Sequence, residues 1–265
     1  MTFLRTTLAC TILSCSSFAH DTWVETNTNL IRTGDAVYVD LKLGNHGNDH
    51  RDFKLASKID LDSCTLTVLL PDGQIYDIKH ELIDTGYAPD EGYWCGKFTA
   101  MRPGLYVVSH SLDKVVSHGR PVRAVKSGKT FFVASDRLDD VPLVHPGYDK
   151  VFGHPLELVP VSNPVTPMGP GQEIAVRLLL KGQPLPDARV SFIPRRQTLQ
   201  ERFDERYERI TDAHGQATFT PTTGDHYLIV AHHTGSDESG GGYDATAYSA
   251  TLTVFVPQVC PCCHE

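Results

Sequence analysis

Asp35-Ala36-Val37-Tyr38-Val39-Asp40-Leu41-Lys42-Leu43-Gly44 is the stretch that decides the fold. Val37, Val39, Leu41 and Leu43 alternate with Tyr38, Asp40 and Lys42, so one face is apolar and the other polar. A period of two marks a half-buried β-strand, because successive side chains point to opposite faces. The polar run Gly44-Asn45-His46-Gly47-Asn48-Asp49-His50 then ends it as a loop. Working outward, Cys64, Leu66, Val68 and Leu70 form a second alternating face, Pro71-Asp72-Gly73 turns the chain, and residues 74–78 return as a hairpin. Residues 93–98 and 105–110 flank the turn at Arg102-Pro103-Gly104, and residues 129–134 supply one more strand. No apolar run keeps helical spacing. Short strands with a turn signal every ten or so residues predict an all-β, immunoglobulin-like sandwich.

Residues 136–153 break this pattern. Asp139-Asp140, Pro142, His145-Pro146-Gly147 and Gly153 offer few periodic apolar positions, which reads as a linker. A second strand series follows at 156–161, 174–180, 188–193, 216–220, 227–231 and 250–256. The Arg- and Glu-rich stretch 195–209 reads as a solvated connection. The expectation is two tandem β-sandwich domains, 20–135 and 154–256, joined by the linker 136–153 and followed by a tail at 257–265.

At the other end, Arg5 precedes a mostly apolar run from Leu8 to Phe18, and Ser17-Phe18-Ala19 is a small-x-small cleavage signal. Residues 1–19 are therefore expected to be a signal peptide, and a cut after Ala19 leaves His20 as the first mature residue. A lipidated Cys15 after Ile12-Leu13-Ser14 is the weaker alternative, because Leu13 suits such a site poorly. The expected location is a bacterial periplasm. The chain carries a formal charge of −8 with no basic stripe, so nucleic acid is not an expected partner. Beyond the leader no apolar run reaches the ~18 residues that a membrane-spanning helix needs.

Chemistry-bearing residues follow from that compartment. Cys64 and Cys95 are the two cysteines of the first domain, and an oxidising compartment predicts a disulfide between them. It would close a loop of about 30 residues and contribute roughly 3–4 kcal/mol. No Gly-x-Ser-x-Gly elbow, phosphate-cradling glycine loop or His-Glu-x-x-His helix is present, so a non-enzymatic protein is expected. Metal ligands are better supplied. An N-terminal His20 offers an α-amine and an imidazole to one ion, with a frayed terminus as the bland alternative. A β-frame would bring a loop histidine, His46 or His110, beside it. His226 and His232 share strand parity while His233 points the other way. The tail Cys260-Pro261-Cys262-Cys263-His264 is a soft ligand set for copper(I) or zinc, or else an oxidisable tail. Nitrogen ligands at His20 suit nickel, cobalt, copper(II) and zinc.

Several stretches together resemble a known family. They are Ala19-His20-Asp21-Thr22-Trp23-Val24-Glu25, Gly153-His154-Pro155-Leu156-Glu157-Leu158-Val159-Pro160 with Asn163-Pro164, residues 171–180, Gly182-Gln183-Pro184-Leu185, Thr211-Asp212-Ala213-His214-Gly215, Gly224-Asp225-His226-Tyr227, and residues 248–253. The chain is similar to exported bacterial proteins labelled as nickel uptake substrate-specific domains or periplasmic components of cobalt transport systems. The resemblance implies two β-sandwiches, the second akin to carboxypeptidase regulatory-like modules. It also implies a role near nickel or cobalt uptake, with a metal transporter or outer-membrane receptor as partner. Two rivals stay open: a structural or glycan-binding module in which the histidines are incidental, and a copper-handling protein built on the His20 chelate.

Overall fold

The computed structural model describes residues 20–44, 60–86, 92–138, 141, 146–195, 197–200 and 202–258. Among these the chain is built of β-strands, with no α-helix and only two short 3-10 turns, Leu61–Ser63 and Lys79–Glu81. No helix of the described residues is long and apolar enough to cross a membrane. In the first half the strands are β1 (Asp21–Thr26), β2 (Leu30–Arg32), β3 (Ala36–Gly44), β4 (Cys64–Leu69), β5 (Ile75–Asp77), β6 (Leu82–Asp84), β7 (Trp94–Thr99), β8 (Gly104–His118) and β9 (Arg120–Ser135). The second half adds β10 (Leu156–Pro160), β11 (Ile174–Leu180), β12 (Gln183–Pro184), β13 (Arg189–Pro194), β14 (Glu208–Ile210), β15 (Gln216–Phe219), β16 (Asp225–Gly235) and β17 (Ala245–Val256).

Three sheets make three layers. A nine-stranded sheet runs β14-β13-β16-β17-β9-β8-β4-β5, with β2 continuing the same edge of β9 beyond β17. One small sheet, β1-β3-β7-β6, covers one face of it, and another, β10-β11-β12 with β15, covers the opposite face. The alternation of β8 and β9 shows why both faces are dry. Tyr106, Val108, Phe132 and Ala134 enter the core under the first small sheet. Leu105, Val107, Phe131 and Val133 enter the core under the second. Strands covered on both faces have no polar side to show, which is the expected outcome of burying them twice.

The sandwich expectation holds, but the two sandwiches share their middle layer. Ala245–Thr253 of β17 pairs in parallel with Val122–Thr130 of β9, so one continuous sheet crosses the boundary that the composition break suggested. Of the 136–153 stretch, 139–140 and 142–145 lie outside the described residues, as do 1–19, His46 and the tail beyond Gln258. The hairpin β8–β9 is also longer than the alternation indicated, pairing without interruption from Gly104↔Ala134 to His118↔Arg120.

The Cys64–Cys95 disulfide is corrected: both are free thiols. Parity explains it. Cys64 points from β4 into the first core, where its Sγ reaches the Leu61 carbonyl at 3.5 Å. On β7 the inward residues are Trp94, Gly96 and Phe98, so Cys95 faces outward, across from Asp40. Burial pushes the Cys64 thiol up to about 11, and burial with the Asp40 hydrogen bond pushes Cys95 up to about 12.

Two outcomes follow from the shared sheet. Residues 20–135 expressed alone should fail to fold, because the fragment exposes the β9 edge and the second-core face of β8 and β9. The chain from His20 should melt in one calorimetric transition. A dispersed NMR spectrum from the fragment, or two resolved transitions, would contradict this. A Cβ at Gly128 would lie 2.8 Å from Thr251 Oγ1 and 3.5 Å from the Trp23 Cα. Gly128→Val should therefore push β1 off the sheet and cost about 1–3 kcal/mol in chemical denaturation.

Candidate functional site

The six residues Asp21-Thr22-Trp23-Val24-Glu25-Thr26 are edge strand β1 of the first small sheet, yet they are almost wholly buried. They lie in the crease where that sheet meets the face of β16 and β17. Thr22 and Val24 point to the first core: Val24 packs within it, and Thr22 Oγ1 donates to His110 Nε2 at 3.1 Å. Asp21, Trp23 and Glu25 point to the second half. Trp23, 4% exposed, packs on Ile193, Leu228 and Val230. The Thr251 hydroxyl donates to the Thr22 carbonyl at 2.9 Å. Truncating Trp23 to Ala should cost about 3–5 kcal/mol, as for other fully packed aromatics.

One end of the crease holds the start of the described chain. The His20 carbonyl accepts a hydrogen bond from Lys126 Nζ at 2.5 Å, so the residue before the strand is tied down. His232, Ser249 and Lys126 stand in register across β16, β17 and β9 and share one face. Asp21 reaches over this row, and His232 Nε2 donates to its Oδ1 at 2.8 Å. Burial opposes ionisation of Asp21, but His232 and then Lys126 outweigh it and hold the carboxyl below its ordinary value. The same carboxylate raises His232 above its ordinary value. Burial in turn lowers the Lys126 ammonium, with Asp21 opposing.

The other end holds a denser set of charges. Glu25 touches both Lys42 and the Arg195 guanidinium, and Lys42 Nζ lies 3.1 Å from Asp40 and 4.5 Å over the Tyr93 ring. Burial and then Arg195 push the Lys42 ammonium down to about 7. His226, on the same face of β16, packs at a tilt against Phe255 and is pushed down to about 4 by burial, with Arg195 and Lys42 adding to it. It is a neutral, packed side chain.

The remaining expected ligands separate. His110 is fully buried, with Nδ1 donating to the Thr65 carbonyl at 2.8 Å and Nε2 taken by Thr22. Burial holds its imidazole down at about 4. It is a satisfied core histidine with no lone pair to spare. His46, Cys260, Cys262, Cys263 and His264 lie outside the described residues. Among the described residues no three His, Cys, Asp or Glu side chains converge closely enough to hold a metal ion. His226 and His232 do share a face, and His233 turns to the other, beside Tyr248. The pairing of Asp21 with His232, 211 positions apart, carried no sequence signal beyond that parity.

The opposite face of the large sheet has its own buried pair. Lys129 Nζ meets Glu157 at 2.7 Å, and the Glu157 carboxylate also accepts the backbone N–H groups of Phe152, Gly153 and His154. This fastens the loop before β10 and accounts for Gly153-His154-Pro155-Leu156-Glu157 in structural terms.

The Asp21–His232 pair has a measurable signature. In the folded chain the His232 pKa should exceed 6.5 in an NMR titration, and Asp21→Asn should lower it. The stabilisation from this contact is present below the ordinary histidine pKa and fades as pH rises through the raised value. An unchanged His232 titration in Asp21→Asn would show that the contact is not formed in solution.

A family model described as a domain of unknown function (DUF4198) matches residues 17–235. Among curated proteins none matches. Solved structures with some likeness include a DUF4785 family protein of Legionella pneumophila (13% identity, 78% of this chain and 50% of that one, TM-score 0.28). Another is the adhesin InvE of Yersinia pseudotuberculosis (13% identity, 89% and 58%, TM-score 0.23). A third is the fibronectin(III)-like modules of Clostridium thermocellum CbhA (11% identity, 89% and 94%, TM-score 0.22). The chain spans about half the length of the first two, and likeness this slight carries no argument about what the chain does.

Proposed function

The chain thus belongs to the DUF4198 family, a domain of unknown function, and we propose that it is an exported, non-enzymatic protein that binds a divalent transition metal at its mature N-terminus. The proposed role is nickel or cobalt uptake or handling, with a metal transporter or outer-membrane receptor as the receiving partner. The observation that carries this reading is where β1 begins. The proposed cut after Ala19 falls one residue before Asp21, the first residue of a strand buried on both faces. A terminus made there is anchored, with its first carbonyl held by Lys126, rather than frayed. An α-amine next to an anchored carbonyl loses little further freedom on closing around an ion, which lowers the ordering cost of binding. Nickel, cobalt, copper(II) and zinc suit such nitrogen ligands. The cysteine tail is proposed as a separate, softer site.

One observation favours the rival, a protein-binding module. Ile75, Ile83 and Met101 are 68%, 65% and 71% exposed near the β5 and β6 edges. Metal titration discriminates. Calorimetry of the chain beginning at His20 should show nickel(II) and copper(II) binding, and one alanine inserted before His20 should weaken it at least tenfold by displacing the α-amine. Deleting Cys260 through Glu265 should remove a tight copper(I) or zinc component and spare the first site. Binding that is absent, or indifferent to the insertion, favours the module.

A further inference from the structure

Among the described ion pairs none is more deeply buried than Lys129–Glu157, whose side chains are 2% and 1% exposed. Lys129 lies within β9, across from Ser109 on β8 and Leu252 on β17, and Glu157 lies in β10, across from Leu179. Both backbones are fixed by their ladders, and Nζ is held 2.7 Å from Oε1. An ammonium carries three N–H donors. Among the described residues Lys129 gives them this one oxygen and, at 5.2 Å, the face of the Phe152 ring. Burial pushes the ammonium below its ordinary value, with Glu157 opposing. One proton passed from Nζ to the carboxylate leaves an amine and a carboxylic acid in contact, the two components of an amide. The carboxyl group is also held as acyl transfer requires. Its Oε2 accepts the backbone N–H groups of Gly153 at 2.9 Å and His154 at 3.1 Å, and Oε1 accepts that of Phe152 at 2.8 Å. Two backbone donors on one oxygen are the arrangement that stabilises the oxyanion of a tetrahedral intermediate.

We infer that Lys129 and Glu157 condense after folding into an intramolecular amide, a covalent staple between the large sheet and the second small sheet. Nζ gives one proton to Oε1, its lone pair bonds to Cδ, and Oε2 takes the negative charge against the Gly153 and His154 N–H groups. A second proton then moves from Nζ to Oε1, the Cδ–Oε1 bond breaks, and water leaves. An ammonium and a carboxylate become one amide and one water, with no oxidant, metal or further reactant. Two effects favour the product. Groups fixed in contact react as if at roughly 10⁵–10⁸ M, and a neutral amide removes two buried charges whose desolvation is costly. The other buried lysine pair lacks this geometry. Lys42 is shared between Glu25 and Asp40, Glu25 is also held by Arg195, and no backbone N–H reaches the Glu25 carboxylate among the described residues. That pair stays ionic. The staple ties the layers covalently where Cys64 and Cys95, both free, do not, and it is independent of the metal reading.

Mass spectrometry of the folded chain beginning at His20, with its thiols alkylated, is the test. The intact mass should fall short of the sequence mass by one water, and proteolysis in denaturant should release a branched peptide joining residues 129 and 157. This arm needs no variant and so does not depend on a variant's folding. Lys129→Arg keeps the cation but removes the nucleophilic amine, and should restore the full sequence mass. The double variant Lys129→Met with Glu157→Gln leaves no buried charge unpaired and should restore it as well. Lys42→Arg should leave the water loss in place. A full sequence mass in the unmodified chain, with residues 129 and 157 recovered in separate linear peptides, overturns the inference. So does a water loss that maps elsewhere or persists in either Lys129 variant.

Discussion

The constraint on which the rest of the molecule depends is the burial of β1 between two layers. An edge strand normally shows one face to solvent, and here neither face of Asp21–Thr26 does. Trp23 fills the hollow over Ile193, Leu228 and Val230, while Val24 completes the first core from the other side. Without this strand the large sheet would keep an apolar, unfilled stretch over β13 and β16. Gly128 is the complementary feature: the absence of a side chain there lets the β1 backbone approach β9 and β17 closely. The shared sheet and the inserted strand together join the two halves, because each half supplies surface that the other covers.

The charges in the crease set the register of that strand. Glu25 meets Lys42 and Arg195, and Asp21 meets His232 and Lys126. Buried ion pairs are weak evidence for net stability, since desolvation offsets much of the attraction. They do penalise misalignment. A one-residue slip would turn Trp23 and Glu25 to the other face, driving a carboxylate into the first core and withdrawing the indole from its hollow. Arg195 comes from the connection after β13, the stretch that composition alone marked as solvated. Its role became visible only once β1 was placed beside it.

Much of the architecture was legible, and the losses have physical causes. The strands around 36–44, 64–69, 174–180 and 216–219 could be read because alternation and turn residues reported local geometry. β1 escaped, although its sequence was in plain view. Its polar residues, Asp21, Thr22, Glu25 and Thr26, are spread over both faces, so Asp-Thr-Trp-Val-Glu-Thr shows no alternation to detect. The extension of β8 and β9 through Lys114, Arg120 and Arg123 escaped because charged residues there break the pattern. The disulfide failed on parity across two strands, which cysteine counting ignores. The continuous sheet was beyond reach for another reason: the parallel β9–β17 pairing joins segments more than a hundred residues apart, and no local signal encodes it.

The candidate site shows how one residue type acquires different chemistry from its surroundings. His110 and His226 are both driven toward the neutral form by burial, His110 with its two nitrogens hydrogen-bonded and His226 with its ring against Phe255. His232 sits on the same face of β16 as His226, yet it is solvent-facing and tied to a carboxylate that favours its charged form. Counting histidines could not have separated these three, but asking what each ring nitrogen touches does. The same question gives His20-Asp21-x-Trp23 a division of labour that a sequence comparison leaves unexplained. Trp23 anchors the strand in the crease, and Asp21, two residues earlier on the same face, is thereby aimed at His232.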